Sequence, residues 1–333
     1  MLKVPTFTSK KKYSSIAVMT SGGDAPGMNA AIRSVVRYAI VQGCEVHGIL
    51  RGYSGLLDEQ FIPLEASSVA NIIQRGGTIL KTDRCEAFYK KATRKKAADI
   101  LRRRGIEGLV VIGGDGSFTG AYHLESENKF PVIGVPGTID NDIAKTDDTI
   151  GFDTAVSTAI EAIDRIRDTA SSHDRTFLVE VMGRSSGHIA LQVGMGGGAE
   201  TVIIPERKQS IQQICETIDR GIRRGKTSSI IVVAEGQEPG LSSRLAKDLA
   251  KKGHASKVCI LGHTQRGGTP TAHDRVLASV LGASAVAYLL AGKSSAMVGV
   301  QDSHIALIPF KDVIGFKKQV SSELLQLSHE LAS

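Results

Sequence analysis

The feature that most constrains this chain is a repeated order. A short apolar, β-branched run leads into a Gly-rich or charged turn, and then into an amphipathic stretch at helical period. The apolar runs fall at residues 16–20, 45–50, 109–113, 132–135, 176–182, 201–205, 229–235, 258–262, 296–300 and 305–309. Helical patterns lie between them, at 29–41, 155–170, 211–223 and 273–290 among others. Such alternation reads as βαβ units, with mainly parallel strands covered on both faces. The expected class is therefore α/β, and 333 residues favour two domains over one.

Open parallel sheets bind ligands beyond the carboxyl ends of their strands. The segments leaving those ends are SGGDAPG (21–27), GGDGS (113–117), PGTIDND (136–142), MGR (182–184), Glu235 and GHTQRGG (262–268). All are polar, Gly-rich or charged, and the 36 glycines of the chain gather in such clusters instead of a repeat. Clustered glycine lets backbone approach a ligand closely.

Bulk properties exclude several classes. A net charge of +7 suits anionic small molecules. The densest basic stretch, residues 90–104, has no interleaved aromatics and reads as a solvated helix face, so no nucleic-acid partner is expected. Cys44, Cys85, Cys215 and Cys259 are scattered, without zinc spacing, as expected of reduced thiols in a cytosol. The leader MLKVPTFTSKKKYSS has no apolar core and reads as a frayed tail, and no apolar run is long enough to span a bilayer. A soluble, cytoplasmic chain with no membrane partner is expected.

Two Gly motifs mislead. GIRRGKT (221–227) is one residue short of a P-loop and follows a helix, where a P-loop follows a strand. GMGGGA (194–199) fits a dinucleotide pattern but sits between a helix and a strand, so it reads as a helix stop. The turn SGGDAPG instead leaves a strand and opens a helix. There Gly22 and Gly23 can offer N–H groups to a phosphate, although a plain tight turn would have the same sequence.

In GGDGS, Asp115 stands inside the Gly loop. A carboxylate beside phosphate implies Mg²⁺ between them. In TIDND, Asp140 and Asp142 alternate, which in extended chain points both the same way; one can take a hydroxyl proton. Arg84, Arg175, Arg184 and Arg266 lie in or near strand-end loops and can fork onto phosphate oxygens, unless each is an ordinary ion-pair residue.

From about Ile16 to Gln301 the chain resembles the bacterial-type 6-phosphofructokinases. The resemblance runs in order through TSGGDAPGMNAAIR, RGGT, VVIGGDGS, PGTIDNDI, IGFDTA, EVMGR, GHTQRGG and DRVLAS. It implies the phosphofructokinase fold: two similar three-layer αβα, Rossmann-like domains with mainly parallel sheets. An ATP/Mg domain would comprise 1–151 and 264–315, and a sugar-phosphate domain 152–263 and 316–333.

The resemblance also implies roles. Gly23, Arg84, Cys85, Gly114, Gly116 and Ser117 would line the ATP site, and Asp115 would hold Mg²⁺. Asp140 would be the general base for the 1-hydroxyl of fructose 6-phosphate, with Thr138 and Arg184 stabilising the phosphoryl group. Met182, Gly183, Glu235, His263 and Arg266 would grip the sugar phosphate, and Arg175 and Lys257 would reach it from a neighbouring subunit of a tetramer. Arg33, Arg37, Arg167, Glu200, Arg224 and Lys226 match an effector site for ADP or phosphoenolpyruvate, with Ala66 where another Arg is usual.

Other positions depart from the pattern too. Lys257 replaces Arg, Cys85 replaces an aromatic near the adenine pocket, and Lys81 and Lys145 replace glycines. The two lysines add charge near the expected phosphate donor.

Three other functions compete. Pyrophosphate-dependent relatives often carry Asp after the GGD acid and Lys before TIDND; Gly116 and Gly137 stand there, leaving room for ATP. A nicotinamide dehydrogenase would need G-x-G-x-x-G at the first strand–helix turn, which reads SGGDAPG. A non-catalytic paralogue would have lost the base or the Arg clamp, yet Asp140 and Arg184 are present.

Overall fold

The computed structural model describes residues 13–173, 175–236 and 240–332. The leader at residues 1–12, expected to be a frayed tail, lies outside the described residues. Among the described residues eleven strands form two sheets. The strands are β1 (Ser15–Ser21), β2 (Glu45–Ile49), β3 (Phe61–Pro63), β4 (Gly108–Gly113), β5 (Val132–Pro136), β6 (Thr176–Val181), β7 (Thr201–Ile203), β8 (Ser229–Ala234), β9 (Ser256–Ile260), β10 (Ala296–Gln301) and β11 (His304–Pro309). All ten expected strands are present, with ends moved by at most two residues. Only β3 lies outside the expected runs; it is three residues long and antiparallel to β2, too short to show a period.

The first sheet runs β11-β10-β5-β4-β1-β2-β3 and the second β7-β8-β6-β9. Every pairing is parallel except those of the edge strands β3 and β11 in the first sheet. The sheets are thus mainly parallel, as expected, but unequal in size.

Burial explains why these runs are strands. All residues of β1, β4, β5 and β8 are buried, and a residue hidden on both faces of a sheet has no use for polar alternation. Each fully buried Ile, Val or Met, such as Ile16, Val18 and Met19, contributes about 1.5–3 kcal/mol relative to exposure. Helix Met28–Val41 buries Met28, Ile32, Val35, Val36 and Ala39, spaced for a single helical face.

Compact units divide the chain discontinuously. One holds the described residues through Ile139, then Ile143–Asp153 and Arg266–Lys318; the other holds Asp140–Asp142, Thr154–Gln265 and the residues from Gln319 on. The three residues Asp140–Asp142 therefore group with the second unit, where the sequence placed them in the first. Among the described residues no helix is long and apolar enough to cross a membrane.

Candidate active site

In the first unit the order β5-β4-β1 sets three Gly-rich loops side by side at the carboxyl ends of adjacent parallel strands. The Ser117 hydroxyl donates to the carbonyl of Ser21 at 2.9 Å, tying GGDGS to SGGDAPG. Asp115 is exposed and begins helix Asp115–Asn128, after Gly114. At Gly116, the next residue, a side chain would meet nothing within 4 Å. One exposed carboxylate beside open space fits Mg²⁺, which usually takes one or two protein carboxylates and completes its shell with phosphate and water. Among the described residues there is no cluster of three His, Cys, Asp or Glu for a metal held by protein alone.

Gly137 behaves differently. A side chain there would come within 3.1 Å of Ile112 and of Met28. A larger residue would have to push those two side-chain ends aside by a few tenths of an ångström, so core packing as well as room for a ligand favours glycine there. Of the two glycines, Gly116 is the one with open space around it.

The segment 75–82 is strapped onto the first loop by contacts the sequence does not suggest. The Asn29 amide donates to the carbonyls of Arg75 and Gly76 at 3.0 and 3.1 Å, and its oxygen accepts from Ile79 N at 2.8 Å. Thr20 donates to the Lys81 carbonyl at 2.7 Å, and Thr82 to the Gly22 carbonyl at 2.7 Å. A side chain on Gly76 would sit 2.3 Å from the Gly268 carbonyl, so the RGGT and QRGG backbones meet there. Arg84 follows this strap, and half-buried Cys85 packs on the core beside it. Arg84 is therefore placed by the strap and not by a strand end.

Arg266 donates from Nη1 to the Asp24 carbonyl at 3.1 Å, and the same nitrogen would lie 2.8 Å from a side chain on Gly23. Its guanidinium thus covers the first Gly loop. Thr138 is half-buried, and its carbonyl accepts from the Thr149 hydroxyl at 2.7 Å.

In the second unit, adjacent β8, β6 and β9 lead into Glu235, Met182–Gly183–Arg184 and the turn Gly262–Arg266 that carries His263. The Met182 N–H donates to Gln265 Oε1 at 2.8 Å, and Gln265 Nε2 donates to the Ala155 carbonyl at 3.2 Å. Glu235 Oε1 accepts from Arg184 N at 2.9 Å. Gly183 has φ 137° and faces the Ser186 carbonyl, leaving no room for a side chain; Arg184 has φ 51°. Left-handed conformation at Arg, which costs about 1–2 kcal/mol, persists because the Glu235 carboxylate and the tight turn hold it.

Asp140 is buried and its carbonyl accepts from the Ser186 hydroxyl at 3.4 Å. The chain around it is not extended: Ile139 and Asp140 form a turn, and Asn141 has φ 46°. The alternation that would align Asp140 with Asp142 therefore does not apply. Arg175 and Lys257 also depart from the sequence map. Arg175 precedes β6, and Lys257 pairs with Phe177 near the start of that strand. Both thus lie at the amino ends, on the order of 17–20 Å of strand from the carboxyl-end loops.

Of the expected effector residues, Glu200, Arg224 and Lys226 line a cavity of about 460 Å³ in the second unit, with Arg207, Arg220 and His329. Its helix, Ile211–Arg223, starts at a Ser210/Gln213 capping box. Buried Glu200 accepts from Ile230 N at 2.5 Å and from Lys226 at 3.4 Å. Burial, with Arg207 nearby, holds the His329 pKa below its usual value. Arg167 instead donates to the Gly197 and Gly198 carbonyls at 2.6 and 2.9 Å, at the end of helix His188–Gly196. Arg33 and Arg37 belong to helix Met28–Val41 of the first unit. The misleading motifs at 194–199 and 221–227 both lie at helix ends, as expected.

The phosphofructokinase family model matches residues 15–289. The chain belongs to the phosphofructokinase family. ATP-dependent 6-phosphofructokinase 1 of Thermus thermophilus is 54% identical over 318 residues, covering 95% of this chain and 99% of that protein. Among solved structures, the Saccharomyces cerevisiae phosphofructokinase is 36% identical with a TM-score of 0.84; the match covers 90% of this chain but 44% of the yeast chain. A pyrophosphate-dependent phosphofructokinase of Marinobacter aquaeolei shares the fold, at 23% identity and a TM-score of 0.82 over 95% of this chain and 91% of that one. The pyrophosphate-dependent protein thus shares the fold alone, whereas the relative at 54% identity is named as ATP-dependent.

Proposed function

We propose that the chain is an ATP-dependent 6-phosphofructokinase that phosphorylates the 1-hydroxyl of fructose 6-phosphate, giving fructose 1,6-bisphosphate and ADP. Open space at Gly116, beside exposed Asp115, is the observation that carries the donor assignment. Gly23, Arg84, Cys85, Gly114, Gly116 and Ser117 hold ATP. Asp115 holds Mg²⁺, which when bound neutralises charge on the transferring phosphates.

Asp140 takes the proton of the 1-hydroxyl as its oxygen attacks the γ-phosphorus. The bond to the bridging oxygen breaks in line and ADP leaves, with no phosphoenzyme. Thr138 and Arg184 stabilise the equatorial oxygens in flight. Met182, Gly183, Glu235, His263 and Arg266 orient the sugar phosphate.

Residues 1–151 with 264–315 would serve ATP, and 152–263 with 316–333 the sugar, apart from the Asp140 turn noted above. Arg175 and Lys257, at the amino ends of their strands, serve a neighbouring subunit of a homotetramer in the cytoplasm. Glu200, Arg224 and Lys226, with Arg33, Arg37 and Arg167, would receive ADP or phosphoenolpyruvate.

Initial rates with fructose 6-phosphate and either ATP or pyrophosphate, with and without Mg²⁺, test this reading. ATP with Mg²⁺ is expected to dominate, and faster turnover with pyrophosphate would overturn the donor assignment. Gly116→Asp fills the open space with a second carboxylate and should lower kcat/KM for ATP roughly 10- to 200-fold.

A further inference from the structure

Helix Lys91–Arg103 carries most of the basic run expected to form a solvated face, and one of its cations is not solvated. Arg94 is 6% exposed. Its Nε and Nη2 donate to the two oxygens of Glu127 at 2.7 and 2.6 Å, and its Nη1 donates to the carbonyls of Phe88 and Tyr89 at 2.8 and 2.7 Å. The guanidinium thus joins three pieces of chain. These are its own helix, the single turn Glu86–Tyr89 that follows Arg84 and Cys85, and helix Asp115–Asn128, which begins at Asp115 and carries Glu127 in its last turn.

A second link closes the same triangle. Phe88 stacks on Tyr53, with ring centroids 3.9 Å apart and planes 23° from parallel. The Tyr53 hydroxyl donates to the Ser117 carbonyl at 2.7 Å. Burial pushes the phenol well above its usual pKa, so it remains a donor at neutral pH. Ser117 then reaches the Ser21 carbonyl, and the Gly loops after β1 and β4 become part of the network.

A buried ion pair adds little net stability over apolar residues of similar size. This one also directs a donor at two consecutive carbonyls, and its effect is therefore on position. It fixes where the turn after Cys85 sits relative to the helix that starts at Asp115.

We infer that Arg94, acting through Glu127 and the Tyr53–Phe88 stack, is a positioning residue for the nucleotide donor, holding the segment with Arg84 and Cys85 against Asp115, Gly116 and Ser117. This rests on the donor assignment made above.

Two conservative variants of the full chain test it, with melting temperature recorded for each. Arg94→Lys keeps the charge but cannot span a carboxylate and two carbonyls. Tyr53→Phe keeps the stack and removes only the bond to Ser117. KM for ATP should rise at least about tenfold in Arg94→Lys and about threefold in Tyr53→Phe, in line with the loss of several buried hydrogen bonds or one. KM for fructose 6-phosphate and kcat at saturating ATP should stay within about twofold, since no group touching the sugar changes.

A folded Arg94→Lys variant with unchanged KM for ATP overturns the inference. An equal rise in both KM values does so too, because it marks general loosening. Should Arg94→Lys fail to fold, Tyr53→Phe decides by the same criterion. Absence of ATP turnover in the unmodified chain overturns the donor assignment and the inference with it; normal turnover with unchanged variants overturns the inference alone.

Discussion

The seven-stranded and four-stranded units hold their strand-end loops by different means. In the first, backbone is held to backbone through short side chains: Asn29, Thr20, Thr82 and Ser117 each reach a carbonyl of a neighbouring loop. Gly23, Gly76 and Gly116 are exposed there, beside Arg84 and Asp115. In the second, long side chains reach backbone amides, with Gln265 on Met182 and Glu235 on Arg184. A phosphate chain is gripped well by N–H groups and glycine, whereas a sugar needs side chains of particular shape and polarity. The contrast matches an assignment of ATP to the first unit and sugar phosphate to the second.

The contrast can be broken most forcefully at Asp140. Asp140→Asn should lower kcat by roughly two to four orders of magnitude, the usual worth of a general base, while fructose 6-phosphate binding measured by calorimetry stays close to that of the parent. Activity within a few-fold of the parent would remove Asp140 from the mechanism.

A smaller effect is expected at Asn29. Asn29→Ala strands two carbonyls and one N–H, at about 1–3 kcal/mol for each group that stays buried and unmet. Melting temperature should fall, and KM for ATP should rise more than KM for the sugar phosphate. An equal rise in both would show that the strap does not belong to the donor side in particular.

The smallest effect has the opposite sign. Lys81 and Lys145 occupy left-handed backbone, with φ of 57° and 64°, where the family resemblance leads one to expect glycine. Left-handed strain in a non-glycine residue exceeds the extra unfolded-state entropy of glycine, so Lys81→Gly and Lys145→Gly should each stabilise by up to about 1 kcal/mol. Thermal melts of the two variants check this, and a lowered Tm would show that the lysine side chains make a compensating contact.

Strands and loops are legible because their signals are local. A continuous apolar run marks a strand buried on both faces, and the Gly-rich segment after it marks a ligand loop. The family motifs then name the loop residues. What stays hidden depends on distance in sequence. Asn29 looks like any polar residue in the first turn of a helix until the chain folds back at Arg75. Arg94 is indistinguishable from Lys95 and Lys96 on composition, and its burial follows from Glu127, thirty-three residues on.

Other features rest on packing or backbone that the sequence does not show. At Gly137, nothing in the sequence shows the side-chain ends of Met28 and Ile112 lying close by. Asp140 and Asp142 align only on the premise of extended chain, and the turn at Asn141 removes that premise. Arg175 joins the strand-end arginines by its nearness to an apolar run, but it lies before β6 instead of after it.

The sheet order bears on how the protein is made. β10 sits between β5 and β11, so the β5 side of the first sheet stays open until the last strands have been synthesised. The long segment Thr154–Gln265 of the second unit is contiguous and emerges during that interval. At about 5–20 residues per second, β5 waits on the order of ten to thirty seconds as an unpaired edge. A ribosome-bound chain halted after Gln265 would still lack the partner strand for that edge.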